Sequence, residues 1–156
     1  MGSKKPLRRH EALKPLSRQH HFGLLFSWKL RKGFAESISI DRLKAFADWF
    51  FIHETQPHFK IEEEYIFPIL GTGHALIIRA LKEHRRIERL FRDIENPKNS
   101  LSLLEEELEA HIRFEERLLF TEIQKAATKE ELREIEKIHF GTGSKEDYPD
   151  PFWGKN

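Results

Sequence analysis

The chain has 156 residues, enough for one domain whose core needs no disulfide staple, and it contains no cysteine. That excludes a thiolate metal site, an iron–sulfur cluster and a thiol nucleophile, and leaves His and carboxylates as the available metal ligands. A net charge of +1, with only a short basic run at Lys4, Lys5, Arg8 and Arg9, offers no basic face for nucleic acid.

No apolar run approaches the roughly 20 residues of a membrane span, and the N-terminus lacks a secretory leader pattern. The expectation is a soluble, cytoplasmic protein. Thirteen Phe, three Trp and nine His in a chain that is 34% charged suggest amphipathic helices around an aromatic interior.

Residues 1–12 read as a flexible lead-in, 13–140 as the helical domain and 141–156 as a tail. A first helix is expected from about Pro15 to Lys32, with Gly33 as its stop. A second runs from about Ile40 to Leu70, kinked or split at Pro57, one residue before His58. The third spans His74 to Glu95, ended by Asn96-Pro97. The fourth opens on a capping-box pattern at Ser102 and Glu105 and continues to about Ala126. A short fifth helix opens the same way at Thr128 and Glu131 and closes near His139. The aromatic, Pro-rich tail around Tyr148, Phe152 and Trp153 either packs across the bundle or hangs loose. No segment alternates as a strand does. The fold class is all-α: an up-down-up-down four-helix bundle with a short fifth C-terminal helix.

Helices two and four carry an internal repeat. His58-Phe-Lys-Ile-Glu62-Glu63-Glu64-Tyr65-Ile66-Phe67 aligns with His111-Ile-Arg-Phe-Glu115-Glu116-Arg117-Leu118-Leu119-Phe120. Residues four apart lie on one helix face, about 5.4 Å apart along the axis, so each His stands beside its Glu. Ile61, Tyr65 and Ile69 flank the first pair at core spacing, and Leu108, Leu118 and Leu119 flank the second. Both pairs therefore face inward. Two buried carboxylates would repel and lose their hydration, and a divalent metal between them removes both objections. Helix three adds His84. Helix one adds His20 or His21, with His20 favoured by Leu13, Leu16 and Leu24 and His21 by Leu24, Leu25 and Trp28. His10, His53, His74 and His139 read as ordinary imidazoles, and Glu63, Glu64 and Glu116 as solvated.

The order His, His-x-x-x-Glu, His, His-x-x-x-Glu resembles the hemerythrin-like (HHE) cation-binding family over roughly residues 13 to 126. The resemblance implies a four-helix bundle holding two iron ions as an oxo- or hydroxo-bridged di-iron centre. His20 (or His21), His58, His84 and His111 would be terminal ligands, and Glu62 and Glu115 would bridge. It further implies a small diatomic partner, O2 or NO, and a binding or sensing role in oxygen, redox or iron stress rather than catalysis. Oxygen carriers of the family have a further His one turn from the third-helix ligand. Here Ala80 and Glu88 stand at those places, which favours sensing or redox chemistry over reversible carriage. A protein partner would meet the helix surfaces or the aromatic tail.

Two other classes compete. A ferritin-like di-iron oxidase or iron store needs Glu-x-x-His on two helices. This chain has one such pair, Glu136 and His139. A metal-free helical interaction module is the other, separated by metal content.

Overall fold

The computed structural model describes residues 8–138 and 148–154. Five helices account for most of them, and no strand occurs among the described residues. Helix α1 (Lys14–Ala35) follows a single 3-10 turn at Glu11–Leu13, and Pro15 sits in its first turn. The helix runs past Gly33 instead of stopping there. A Cβ on Gly33 would lie 2.4 Å from Leu43 Cδ2 and 2.9 Å from Phe152 Cε1, so this glycine serves close packing. The chain reverses at Ser37, whose φ is +56°.

Helix α2 is continuous over 40–69 but irregular. Regular turns at Ile40–Phe50 and Gln56–Ile61 alternate with π turns at Phe51–Thr55 and Glu62–Ile66, and a 3-10 turn at Phe67–Ile69 ends it. The first π turn takes up the strain of Pro57: the Gln56 N–H reaches back five residues to the Phe51 carbonyl just before the proline. Helix α3 (Ala75–Arg92) is capped by the His74 ring, which accepts from the Leu76 N–H. Helix α4 covers Pro97–Phe114, a π turn at Glu115–Leu119, and Phe120–Ala126. It starts one turn earlier than Ser102, because Asn96 caps it and Pro97 fits a first turn, which needs no N–H there. Helix α5 (Lys129–Glu136) opens on the expected capping box of Thr128 and Glu131. His139 and the Gly141-Thr142-Gly143 stretch lie outside the described residues.

Helix α4 packs against α1, α2 and α3. The core forms two apolar clusters. One holds Phe26, Phe46, Phe50, Phe91 and Leu104, with Phe152 of the tail buried among them. The other holds Leu16, Ile66, Ile77, Leu119 and Phe120, closed by Ile135 of α5. Phe26 stacks on Phe50 at 4.3 Å and Phe51 on Phe91 at 4.7 Å. Each such ring contributes about 1.5–3 kcal/mol of transfer free energy on full burial. Along every long helix, members of one cluster precede, and members of the other follow, a buried polar residue. Those residues are His20 on α1, His58 and Glu62 on α2, His84 on α3, and His111 and Glu115 on α4. A polar band thus separates the two halves of the core.

No helix among the described residues is long and apolar enough to cross a membrane.

Candidate metal centre

Glu62 and Glu115 are fully buried, as is His84, while His20, His58 and His111 are at most 7% exposed. Their ligand atoms fall into two overlapping groups, His20–His58–Glu62–Glu115 and Glu62–His84–His111–Glu115. Both glutamates belong to both groups, and each carboxylate divides its oxygens between them. Glu62 Oε2 lies 3.2 Å from His58 Nε2 and 3.6 Å from His20 Nε2, while its Oε1 lies 3.1 Å from His84 Nε2. Glu115 Oε1 lies 2.8 Å from His20 Nε2, while its Oε2 lies 3.1 Å from His111 Nε2 and 3.5 Å from His84 Nε2. Each carboxylate thus stands between two pairs of imidazoles, with one oxygen toward each pair.

Two further observations fit a cation. All four carboxylate oxygens, and the Nε2 atoms of His84 and His111, are buried without a hydrogen-bond partner among the described residues. In addition, each imidazole has its outer nitrogen committed elsewhere. Nδ1 of His20 donates to Glu116, of His58 to Gln19, of His84 to Glu63 and of His111 to Glu83, each at 2.7 Å. A neutral ring that donates from Nδ1 presents a lone pair at Nε2. His20 Nε2 and His58 Nε2 would then face each other with lone pairs at 3.0 Å, an arrangement that a cation between them resolves.

Without metal, protons stand in. Burial alone would lower the His20, His84 and His111 pKa values, but the surrounding carboxylates outweigh it and raise all three. Burial and the charge of Glu115 push Glu62 up, yet His58 and His20 hold it down to about 2. Glu115 is likewise held well below the carboxylate range by His111, against the desolvation that opposes it.

The backbone repeats along with the sequence. Each inner glutamate opens a π turn: the Phe67 N–H reaches the Glu62 carbonyl and the Phe120 N–H reaches the Glu115 carbonyl. The inserted residue rotates the downstream part of the helix by about 100°. Tyr65 and Leu118, expected at core spacing, therefore face outward at 51% and 42% exposure, and Ile66 and Leu119 are buried instead. Aromatic rings wall the site. Phe59 lies parallel to His84 at 3.7 Å, and Phe120 stacks on His20 at 5.2 Å.

Glu63 and Glu116, expected from the sequence to be solvated, are instead engaged at the site. Each follows an inner glutamate in the repeat and accepts from a histidine of another helix. Each also meets a guanidinium, Arg85 on Glu63 and Arg9 on Glu116, as Arg79 meets Glu83. Burial would raise these three carboxyls, and their His and Arg neighbours more than offset it, so all are held below the usual value. Gln19 and Glu83 were missed entirely, although each directly precedes a site histidine. Of the paired expectations on α1, His20 joins the cluster, while His21 is exposed with its ring against Phe22. Ala80 is buried in the apolar core, and Glu88 pairs with Arg85. His10 and His74 cap helices, and exposed His53 packs on Trp49.

The model of the hemerythrin HHE cation binding domain matches residues 10–102. The chain belongs to that family. The match takes in His20, His58, Glu62 and His84 but stops short of His111 and Glu115, which the fold brings to the HHE site from α4. No curated protein and no solved structure matches the chain. The buried His and Glu groups of this HHE domain suit a metal cation in donor type and in number.

Proposed function

We propose that the chain binds two iron ions and, through them, a small diatomic ligand, O2 or NO, in redox or iron-stress sensing. The reading places His20 and His58 on one iron, His84 and His111 on the other, and Glu62 and Glu115 across both. The observation that carries it is the division of each carboxylate's oxygens between two histidine pairs. A single tetrahedral ion would leave half of these donors idle. The bundle is read as up-down-up-down. Support comes from the way successive long helices meet the two core clusters in alternating order.

When bound, the irons supply redox chemistry and a place for an exogenous ligand. The chain's own residues do the rest. Glu116, Gln19, Glu63 and Glu83 fix the imidazole tautomers so that every Nε2 faces inward. Phe59 and Phe120 exclude water from the rings they stack on. A cavity of about 30 Å³ adjoins His20, His58 and His111, between Gly23, Phe50, Thr55 and Ile112. It has room for a water or a diatomic molecule and not for an organic substrate. With four imidazoles and two carboxylates, and Ala80 where carriers have another His, the donor set favours the ferric state over reversible carriage.

Phe152 of the tail is buried in the chain's own core, which supports the helix surfaces over the tail as the face for a protein partner. The cysteine-free chain suits a reducing cytoplasm.

The test is metal content after iron-replete expression. Two irons per chain are expected, and His111→Ala should fall well below that. No bound metal in the wild type would leave a metal-free interaction module. Anaerobic reduction followed by O2 or NO titration, read by optical absorption, should show a ligand-dependent change. A reduced centre blind to both gases would remove the diatomic part of the reading.

A further inference from the structure

The two halves of the site follow one plan, with one exception. Glu63 and Glu116 each follow an inner glutamate and hold a histidine of a neighbouring helix, His84 and His20. Gln19 and Glu83 each precede a site histidine and hold the histidine of the helix after it, His58 and His111. Position 19 thus carries an amide where its counterpart carries a carboxylate. The same half differs in packing. Gly23, four residues on from Gln19, borders the cavity, whereas Ile87, four residues on from Glu83, is a fully packed core side chain.

We infer that the two metal positions hold a divalent cation with unequal affinity, the His20–His58 position being the looser, and that Gln19 sets the difference. This rests on the two-metal reading above. A carboxylate accepting from Nδ1–H draws the proton toward itself and makes Nε2 a stronger donor, and a neutral amide oxygen does so less. The His84–His111 position has two such carboxylates behind it, and the His20–His58 position has one. The cavity borders both histidines of the His20–His58 position and only His111 of the other pair, so water has more room to enter as the first metal leaves. Gln19 is a positioning residue. It touches the ring and not the metal.

The test loads the metal-free 156-residue chain with Co2+ and follows its visible absorption against increasing chelator. Wild type should bind two Co2+ and release them in two equal phases separated by about tenfold or more in chelator, the scale typical of changes behind a metal-bound imidazole. Gln19→Glu, nearly isosteric, should tighten the looser phase alone. Gln19→Leu should loosen that phase further. Glu83→Gln should loosen the tighter phase and draw the two together, an arm that stands even if a position-19 variant fails to fold by circular dichroism. Two Co2+ released in one phase, or a Gln19→Glu variant that moves both phases together or moves neither, would overturn the inference and leave the two-metal reading standing. Fewer than two Co2+ per wild-type chain would overturn that reading itself.

Discussion

Gly23 keeps space open beside His20. A Cβ there would lie 2.5 Å from Ile112 Cδ1, the tip of a flexible side chain, and both residues border the 30 Å³ cavity. Alanine would gain up to about 1 kcal/mol of helix propensity, against an overpacking term of about 1–3 kcal/mol. On the two-iron reading proposed above, Gly23→Ala should keep its metal and melt within a few degrees of wild type. Its affinity for NO or azide, measured on the reduced and the oxidised centre respectively, should fall on the order of tenfold. Undiminished affinity would place the exogenous ligand elsewhere. At this scale the sequence showed the inner residues well, because His58 with Glu62, and His111 with Glu115, repeat inside one apolar frame. The outer acceptors were harder to see. Each is half-exposed on its own helix and acts on the histidine of another, a relation that no periodicity along one helix reports. Their signals were the doubled Glu-Glu and an acceptor directly before His20 and His84.

Among the elements, the π turns are what the sequence did not reveal. A regular helix through Glu62 would put Tyr65 inside. The five-residue turn instead buries Ile66 and Phe67 and leaves Tyr65 out, and α4 repeats this with Leu118, Leu119 and Phe120. Removing one exposed residue from such a turn, Glu64 for instance, should restore regular helical bonding. Glu62 would then rotate by about 100° relative to the anchored Ile66 and Phe67. We expect near-normal helicity by circular dichroism and metal content well below two per chain. Full metal loading would show that the π turn does not orient Glu62. The start of α4 escaped notice for another reason. Pro97 reads from the sequence as the stop of α3, but α3 already ends at Arg92, where Asp93 turns extended, and the proline instead opens α4.

Over the whole molecule, the polar band between the two apolar clusters ties stability to metal and to pH in opposite senses. In the metal-free chain the band is held by carboxylate–imidazolium contacts. Glu62, held down to about 2, stabilises the fold above the ordinary carboxylate range, and that contribution is lost only as pH falls toward 2. His20 and His84 are raised, so their contribution is complete below the ordinary imidazole pKa and is lost as pH rises through the raised values. The metal-free melting temperature should therefore fall as pH rises above the ordinary imidazole range. Metal demands the reverse, because Nε2 ligates only when deprotonated, so the increment from metal should grow over the same range. With free metal at about 100 times its dissociation constant, each site adds about 2.7 kcal/mol, or roughly 5–10 °C for a domain of this size. Calorimetric scans with and without Fe2+ under anaerobic conditions read both slopes. A metal-free melting temperature that rose with pH would mean that imidazolium–carboxylate contacts do not hold the band together, and an increment that shrank with pH would argue against imidazole ligation.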